Sequence, residues 1–266
     1  MLENEPLIRL SIFAGVLVLM AILEALFPRR PRRFDRLIRW PANFMIVLIN
    51  TFAVRLIFPT AAVGFALLTA EQQIGLFNQL HLPAPVTIIT SMALLDLSIY
   101  AQHIVFHRVP ILWRFHSMHH TDLDLDVTSG ARFHPVEILL SMLIKFTVIA
   151  VTGAPAVAVL LFEVLLNAGA MFNHANFRIP AGVDRILRAL IVTPDMHRVH
   201  HSVIPAETNA NFGFNLSCWD RIFSTYTAQP QAGHDQMTIG LPEFQSGESQ
   251  RIDKMLMQPW IKGVQS

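Results

Sequence analysis

Five apolar stretches alternate with polar segments along most of the chain. They cover residues 10–27, 41–69, 84–102, 136–152 and 155–172. Because an α-helix rises about 1.5 Å per residue, about 20 apolar residues cross the hydrocarbon core of a bilayer. The pattern therefore predicts an all-α integral membrane bundle with about four or five membrane segments. The stretch 41–69 is interrupted by Arg55 and Pro59, and it could form one kinked span or two shorter helices.

The composition agrees with a membrane protein. Charged residues make up only 15% of the chain, whereas soluble domains carry about 25%. The net charge of +1 and the lack of a basic tail argue against a nucleic-acid partner. Cys218 is the only cysteine, which excludes an internal disulfide and Cys-x-x-Cys motifs. Glu3 and Glu5 precede the first apolar stretch, which we interpret as a retained anchor rather than a cleaved signal peptide.

Six arginines between residues 29 and 39 follow the first apolar stretch. Arginine-rich loops of membrane proteins stay in the cytoplasm. If 41–69 crosses the membrane once, loop 70–83 lies outside and the segment 84–102 returns to the cytoplasm. The polar segments after residue 102 then form a helical cap on the cytoplasmic face of the inner membrane. Two crossings within 41–69 would reverse this orientation.

Three histidine clusters fall in that predicted cap. They read HIVFH, HSMHH and HRVHH and comprise His103, His107, His116, His119, His120, His197, His200 and His201. Residues three and four apart share one face of a helix, and neutral imidazoles bind Zn, Cu, Fe or Ni. Eight ligands exceed the three or four of a mononuclear zinc site. The clusters therefore predict a histidine-rich site for two metal ions.

Two further histidines are candidates for the same site. His174, in FNHANF, is a predicted ninth ligand, and it ends a helical stripe with Glu163, Asn167 and Ala170. His134, in RFHPVE, could be a ligand or a group that orients one. His81 and His234 lie outside the clusters and are predicted to be surface residues.

Two acids are candidate site residues. Asp96 shares a helical face with His103 and His107, and ionisable groups within spans are costly and usually functional. We expect Asp96 to accept a hydrogen bond from a ligand imidazole, with a helix cap near the membrane interface as the alternative. Asp195 precedes the third cluster, where it could pair with Arg198, three residues on, or accept from a ligand imidazole.

The three clusters resemble the histidine boxes of the fatty acid hydroxylase / sterol desaturase superfamily. NANFGFNLSCWDRIFSTY, at 209–226, is similar to the ending of that family's domain, and the resemblance covers about residues 90–227. Ser224 stands where the family usually has glycine, and we expect only a backbone effect. The resemblance implies metal ligation by the eight box histidines and, with a weaker match, by His174. It also implies that Asn209, Asn211, Trp219 and Asp220 close the site from the other side.

The resemblance also implies an activity and a division of the chain. Members of the family are membrane di-iron enzymes that use O2 and external electrons to hydroxylate or desaturate lipid C–H bonds. Residues 1–82 would be a membrane anchor region, 83–227 the catalytic domain and 228–266 a polar tail. Two iron ions are the implied cofactors, although zinc could occupy the isolated protein because affinity favours Zn over Fe(II).

The partners follow from motifs that the sequence lacks. It has no Rossmann or flavin motif and no cysteine set for an iron–sulfur cluster. We therefore expect a separate electron-donor protein, and a lipid substrate that enters from the bilayer. A metal transporter would place its ligands near mid-membrane, a bis-histidine haem protein needs two facing histidines, and a zinc metalloprotease needs H-E-x-x-H, which is absent.

Overall fold

The computed structural model describes residues 2–80 and 82–261. All regular structure among them is helical, apart from isolated bridges such as Pro28 to Phe177, which confirms the all-α prediction. The helices up to residue 174 are α1 (Glu5–Leu26), α2 (Arg36–Ile57), α3 (Ala62–Glu71), α4 (Leu76–Gln79), α5 (Ala84–Arg108), α6 (Pro110–His120), α7 (Pro135–Thr152) and α8 (Ala156–His174). The short helices that follow are α9 (Ala181–Leu187), α10 (Pro194–His200), α11 (Pro205–Thr208), α12 (Cys218–Ile222), α13 (Gly233–Gln236) and α14 (Ile252–Met257).

Five helical regions are long and apolar enough to cross a membrane. They are Leu2–Leu26, Arg36–Gln79, Ala84–Arg108, Pro135–Thr152 and Ala156–His174. Their number agrees with the four or five membrane segments that the hydrophobic pattern predicts. His81 lies outside the described residues.

The stretch 41–69 forms two helices, α2 and α3. Phe58 follows α2 in an extended conformation with φ −107° and ψ 117°, because the ring of Pro59 disfavours helical geometry at the residue before it. The 22 residues of α2 reach about 33 Å, whereas the 10 residues of α3 reach only about 15 Å. Only α2 is therefore long enough to span the bilayer by itself.

A hydrophobic core joins α3, α5, α7 and α8. Leu95 from α5, Ile149 from α7 and Phe162 from α8 are buried in it. Burying one such side chain contributes about 1.5–3 kcal/mol. This packing fixes the carboxyl ends of α5 and α8, which carry His103, His107 and His174.

A buried ion-pair network attaches α2 to the cap. The Arg39 guanidinium donates to both oxygens of Asp122 at 2.8 and 2.7 Å and to Asp126 at 2.7 Å. All three side chains are inaccessible to solvent. Burial acts to raise the pKa of Asp122, but Arg39 and Arg132 outweigh it and hold this pKa at about 2. The last arginine of the Arg-rich loop is therefore a structural part of the cap.

Residues 228–261 pack against the cap, where the sequence predicts a polar tail. Arg132 donates to the side chain of Gln250 at 2.9 Å, and Thr121 donates to that of Gln258 at 2.9 Å. Met237 and Ile239 are buried with Leu125. The polar residues of this segment are thus hydrogen-bonded in the interior instead of being solvated.

Candidate metal centre

Nine buried histidines form two adjacent groups. The five-histidine group contains His103, His107, His116, His120 and His200. The four-histidine group contains His119, His174, His197 and His201. Within each group the ligating nitrogens all lie within 4.8 Å of one another. The structure thus brings together all eight box histidines and His174.

Each H-x-x-H-H box divides its histidines between the two groups. His116 and His120, one helical turn apart, belong to the five-histidine group, and His119 belongs to the other. The third cluster reverses this division, with His200 in the five-histidine group and His197 and His201 in the other. Residues i+3 and i+4 point about 100° apart around a helix axis. A single short helix can therefore serve two neighbouring ions.

Carbonyl groups fix the orientation of four imidazoles. The Nδ1 atoms of His103 and His200 donate to the carbonyls of Phe212 at 2.9 Å and Ala210 at 2.8 Å. In the same way, the Nδ1 atoms of His119 and His174 donate to the carbonyls of Arg132 at 3.2 Å and Ala170 at 2.7 Å. A carbonyl oxygen only accepts, so Nδ1 carries the proton and Nε2 carries the lone pair.

The lone pairs converge at distances that suit a metal ion. His200 Nε2 and His103 Nε2 are 3.0 Å apart, and His174 Nε2 and His119 Nε2 are 3.1 Å apart. Neither nitrogen of these pairs has a hydrogen to share, so the two lone pairs repel each other unless a cation lies near both. Two nitrogens about 2.0–2.1 Å from one ion are about 2.8–3.4 Å apart at octahedral or tetrahedral angles. The residues therefore fit a metal ion in each group.

Burial keeps the imidazoles of the cap neutral. It lowers the pKa of His200 to about 3, and burial together with the neighbouring imidazoles lowers the pKa of His119, His120, His197 and His201 well below the ordinary value. Neutral imidazole is the form that binds a metal.

Glu137, which belongs to none of the histidine clusters, orients His116. His116 Nδ1 donates to Glu137 Oε1 at 2.7 Å, and both side chains are buried. Carboxylates that accept from ligand histidines fix the ring and raise its basicity. The i, i+4 spacing of Glu137, Ser141 and Lys145 along α7 is a polar stripe in an apolar helix, and it is the signal that could have found Glu137.

His134 lies beside the centre and not in either group. It caps the amino end of α7, where its Nδ1 accepts from Val136 N at 3.2 Å. Its ring contacts Phe115 and Trp260. The expectation that His134 is a ligand or orients one therefore does not match its contacts.

Asp96 holds a loop instead of an imidazole. It accepts from Asn215 at 2.9 Å, from Leu216 N at 3.2 Å and from Trp219 Nε1 at 2.9 Å. This differs from the expected direct contact with a ligand histidine. The loop that Asp96 holds includes Phe212, whose carbonyl accepts from His103, so the effect of Asp96 on the ligand is indirect.

Asp195 makes the predicted pair with Arg198. It also accepts from Arg29 at 3.2 Å and lies 3.7 Å from His234. Burial acts to raise the pKa of Asp195, but Arg198, His234 and Arg29 hold it below the ordinary value. His234 is buried, which corrects its prediction as a surface residue. Among the described residues, Asp195 contacts no histidine of the two groups.

The segment 209–227 braces the carbonyls that hold His200 and His103. Asn211 donates to the carbonyls of Met196 and Thr227 at 2.9 and 2.8 Å, and Asp220 accepts from Phe212 N at 2.8 Å. Asn209 bonds only within α11, to the carbonyl of Pro205. Ser224 has φ 58°, the left-handed conformation that glycine adopts at no steric cost, in line with the backbone effect expected there.

A cavity of about 420 Å³ opens beside the five-histidine group. His103 and His116 line it at one end, and Arg55, Lys145 and Asn167 line it elsewhere. Its other walls are mostly apolar: Val47, Val54, Ile99, Phe106, Ile138, Met142, Leu166 and Phe214. Glu163, which the sequence places in a stripe with His174, lies away from the histidines and pairs with Arg9 and Lys145.

A family model described as "Fatty acid hydroxylase" matches residues 88–225, more than half of the chain. The chain belongs to the fatty acid hydroxylase family. All nine grouped histidines, Asp96 and the 209–225 segment fall within the match, so the superfamily resemblance of the boxes is confirmed.

Curated members of the family are similar to this chain. Ornithine lipid hydroxylase OlsE of Rhizobium tropici is 29% identical over 157 residues, which are 59% of this chain and 46% of that protein. Human alkylglycerol monooxygenase is 28% identical over 157 residues, 58% of this chain and 33% of that protein. Cholesterol 25-hydroxylase of Rattus norvegicus is 23% identical over 147 residues, 54% of this chain and 48% of that protein. The chain spans less than half the length of each of these relatives, and no solved structure matches it.

Proposed function

We propose that this protein is a membrane-bound di-iron oxygenase that hydroxylates a C–H bond of a lipid. The main support for this proposal is that the imidazole lone pairs converge in two groups, one of which borders an apolar cavity. In the reaction, one O2, two electrons and two protons convert a C–H bond into C–OH and release water. Bound iron would supply the oxidising power for this step, since no side chain is strong enough an oxidant.

The side chains of this protein would hold the metal ions, orient the imidazole rings and shield the site from water. The nine histidines would ligate the two ions, and Glu137 and four carbonyl groups keep their rings in the required tautomer. The apolar cavity walls would hold a hydrocarbon chain beside His103 and His116 and keep bulk water away. We propose no acid or base role for Asp96, Asp195 or His134, because their contacts are structural.

Hydroxylation is favoured over desaturation by the relatives. The three relatives described above are two hydroxylases and a monooxygenase by name. Desaturation with the same site remains the alternative. A metal transporter is disfavoured because the histidines gather at one end of α5 and α8, whereas transport sites lie near the membrane centre.

Lipid mass spectrometry of cells with and without the gene tests this activity. We expect a lipid whose mass is higher by one oxygen only in cells that carry it, and loss of that product with His116→Ala. A product lighter by two hydrogens would instead indicate the desaturase. Metal analysis of the purified protein should find about two ions per chain, and one ion per chain would contradict the dinuclear site.

We also propose that the metal centre faces the cytoplasm of the inner membrane, where a separate donor protein reaches it. The Arg-rich loop supports this orientation, as does the length of α3, which is too short to add a crossing. In a Cys218→Ser background, a cysteine at Gln72 should react with an impermeant reagent from outside, and one at Arg32 should not. The opposite labelling would place the histidines on the outer face.

A further inference from the structure

The end of the cavity away from the histidines is charged, although it lies within helices that span the membrane. Arg55 from α2, Lys145 from α7 and Asn167 from α8 line it. Behind them, Glu163 pairs with Lys145 and with Arg9, the latter at 2.5 Å. Charged groups within spans are costly and mark functional sites unless they are paired.

Arg55 differs from the other two cations of this cluster. Arg9 and Lys145 share Glu163, and Arg9 also pairs with Glu5 at 2.8 Å. Among the described residues, no carboxylate lies within ion-pair distance of Arg55. Three cations thus face two carboxylates, and the excess positive charge is on a side chain that is exposed at the cavity wall.

The distance between the charged end of the cavity and the metal centre can be read along α7. Glu137, which holds His116, and Lys145 are eight residues apart on the same helix. Eight residues of α-helix rise about 12 Å. The wall between them is mostly apolar; its polar residues include Asn50 and Thr51 from α2, and Gln102, which donates to Ser141 at 2.6 Å.

We propose that this end of the cavity binds the anionic group of the lipid substrate, a carboxylate or a phosphate, through Arg55. A guanidinium forms two parallel hydrogen bonds with either group. The hydrocarbon chain then runs along the apolar walls toward His103 and His116. The carbon that is oxidised lies at a fixed distance from the anionic group, of the order of the 12 Å that separates the two ends of the cavity along α7. This inference rests on the proposed lipid hydroxylase.

Binding in phosphatidylcholine nanodiscs tests the anion site without turnover. Palmitate, hexadecyl phosphate and methyl palmitate compete with a neutral fluorescent lipid for the purified, metal-loaded protein. We expect the anionic probes to bind about tenfold tighter than the ester, as for a hydrogen bond to a charged group. If only one of the two anions shows this preference, the result identifies the anionic group of the substrate as a carboxylate or as a phosphate.

Two variants at Arg55 and one variant elsewhere distinguish a specific anion site from a general effect of net charge. Arg55→Gln should abolish the tenfold preference and Arg55→Lys should retain most of it. Arg32→Gln removes the same charge from the exposed loop before α2 and should keep the preference. Equal binding of palmitate and its ester, or an unchanged preference in Arg55→Gln, would mean that Arg55 only extends to the membrane interface, and would overturn the proposal.

Product analysis tests the fixed distance. With myristate, palmitate and stearate, the new oxygen should lie on the same carbon counted from the carboxyl end. An oxygen at a constant position from the methyl end would overturn the assignment. Anion-selective binding without oxygen incorporation into any of the three acids would count against the proposed hydroxylase and not against the anion site.

Discussion

The two histidine groups share their ligand chemistry but differ in their surroundings. His103 and His116 of the five-histidine group line the cavity, whereas no member of the four-histidine group does. The four-histidine group lies instead near the buried ion pairs of Arg39 with Asp122 and Asp126. These two carboxylates are close enough to His174 to interact with it electrostatically. The first group is therefore placed to meet a substrate, and the second lies beside a buried charge network.

The largest effect should come from removing one ligand from each group. His107 and His174 are suitable because both lie on long helices outside the divided boxes. His107→Ala and His174→Ala should each remove about one ion per chain and lower hydroxylation more than about 100-fold, since even orienting groups cost 10–100-fold. Elemental analysis and product mass spectrometry measure both. A single substitution that empties both groups would show that they are one site.

Arg39→Gln should test the charge network behind the four-histidine group. It removes the buried guanidinium that donates to both Asp122 and Asp126, and breaking a buried pair costs about 3–5 kcal/mol. We expect the melting temperature to fall on the order of 10 °C and metal to be lost first from the four-histidine group. Arg32→Gln, in the exposed part of the same loop, is the control and should melt like the unchanged protein. Equal melting of both variants would contradict a stabilising network.

Glu137→Gln should weaken only the five-histidine group. The amide keeps an acceptor for His116 but removes the charge that raises the basicity of the ring. We expect a roughly 10–100-fold loss of affinity for one of the two ions, measured by competition with a chelator. Glu207→Gln is the matched control, because Glu207 is buried and its carboxylate accepts from Gln231 N instead of from a grouped histidine. Loss of both ions with normal folding would remove the distinction between the groups.

The smallest effect concerns His234, which belongs to neither group. Burial lowers its pKa to about 4, although the charge of Asp195 opposes this. The unfolded chain then binds the proton more readily than the folded one, so stability is full above pH 6.5 and falls as the pH drops toward 4. His234→Gln should make the loss between pH 7 and 5.5 shallower by on the order of 1 kcal/mol. If the unchanged protein and His234→Gln lose stability equally over this pH range at constant metal concentration, burial does not lower the pKa of His234.

The grouping of the histidines was predictable because their spacing is local. Positions three and four apart on one helix are read directly from the sequence, and all nine predicted histidines lie in the two groups. Their division between two groups was not readable, since it depends on how α6 and α10 face each other. The all-α class and the number of membrane segments follow in the same way from the length of the apolar stretches.

Predictions for polar residues outside the boxes were less accurate. Helical spacing placed Asp96 on the face of His103, but the actual partners of Asp96 lie about 120 residues later in the chain. Glu163 likewise shares a stripe with His174, yet it is three turns away from the metal centre and pairs with Arg9. The polar composition of residues 228–261 predicted a tail. Their polar groups instead form hydrogen bonds in the interior, to residues such as Thr121 and Arg132. Such long-range contacts leave no local pattern in the sequence.

The order of the ligands along the chain has a consequence for biosynthesis. During synthesis the amino-terminal part of a chain is released and folds first. The five candidate spans end at His174, so the whole membrane bundle precedes the third cluster, His197 to His201, which completes both groups. The cap residues Gln250 and Gln258, which bond Arg132 and Thr121, are made later still. We therefore expect metal loading to be completed after membrane insertion, because a nascent chain that is interrupted before residue 197 has all five candidate spans but lacks three of the nine grouped histidines.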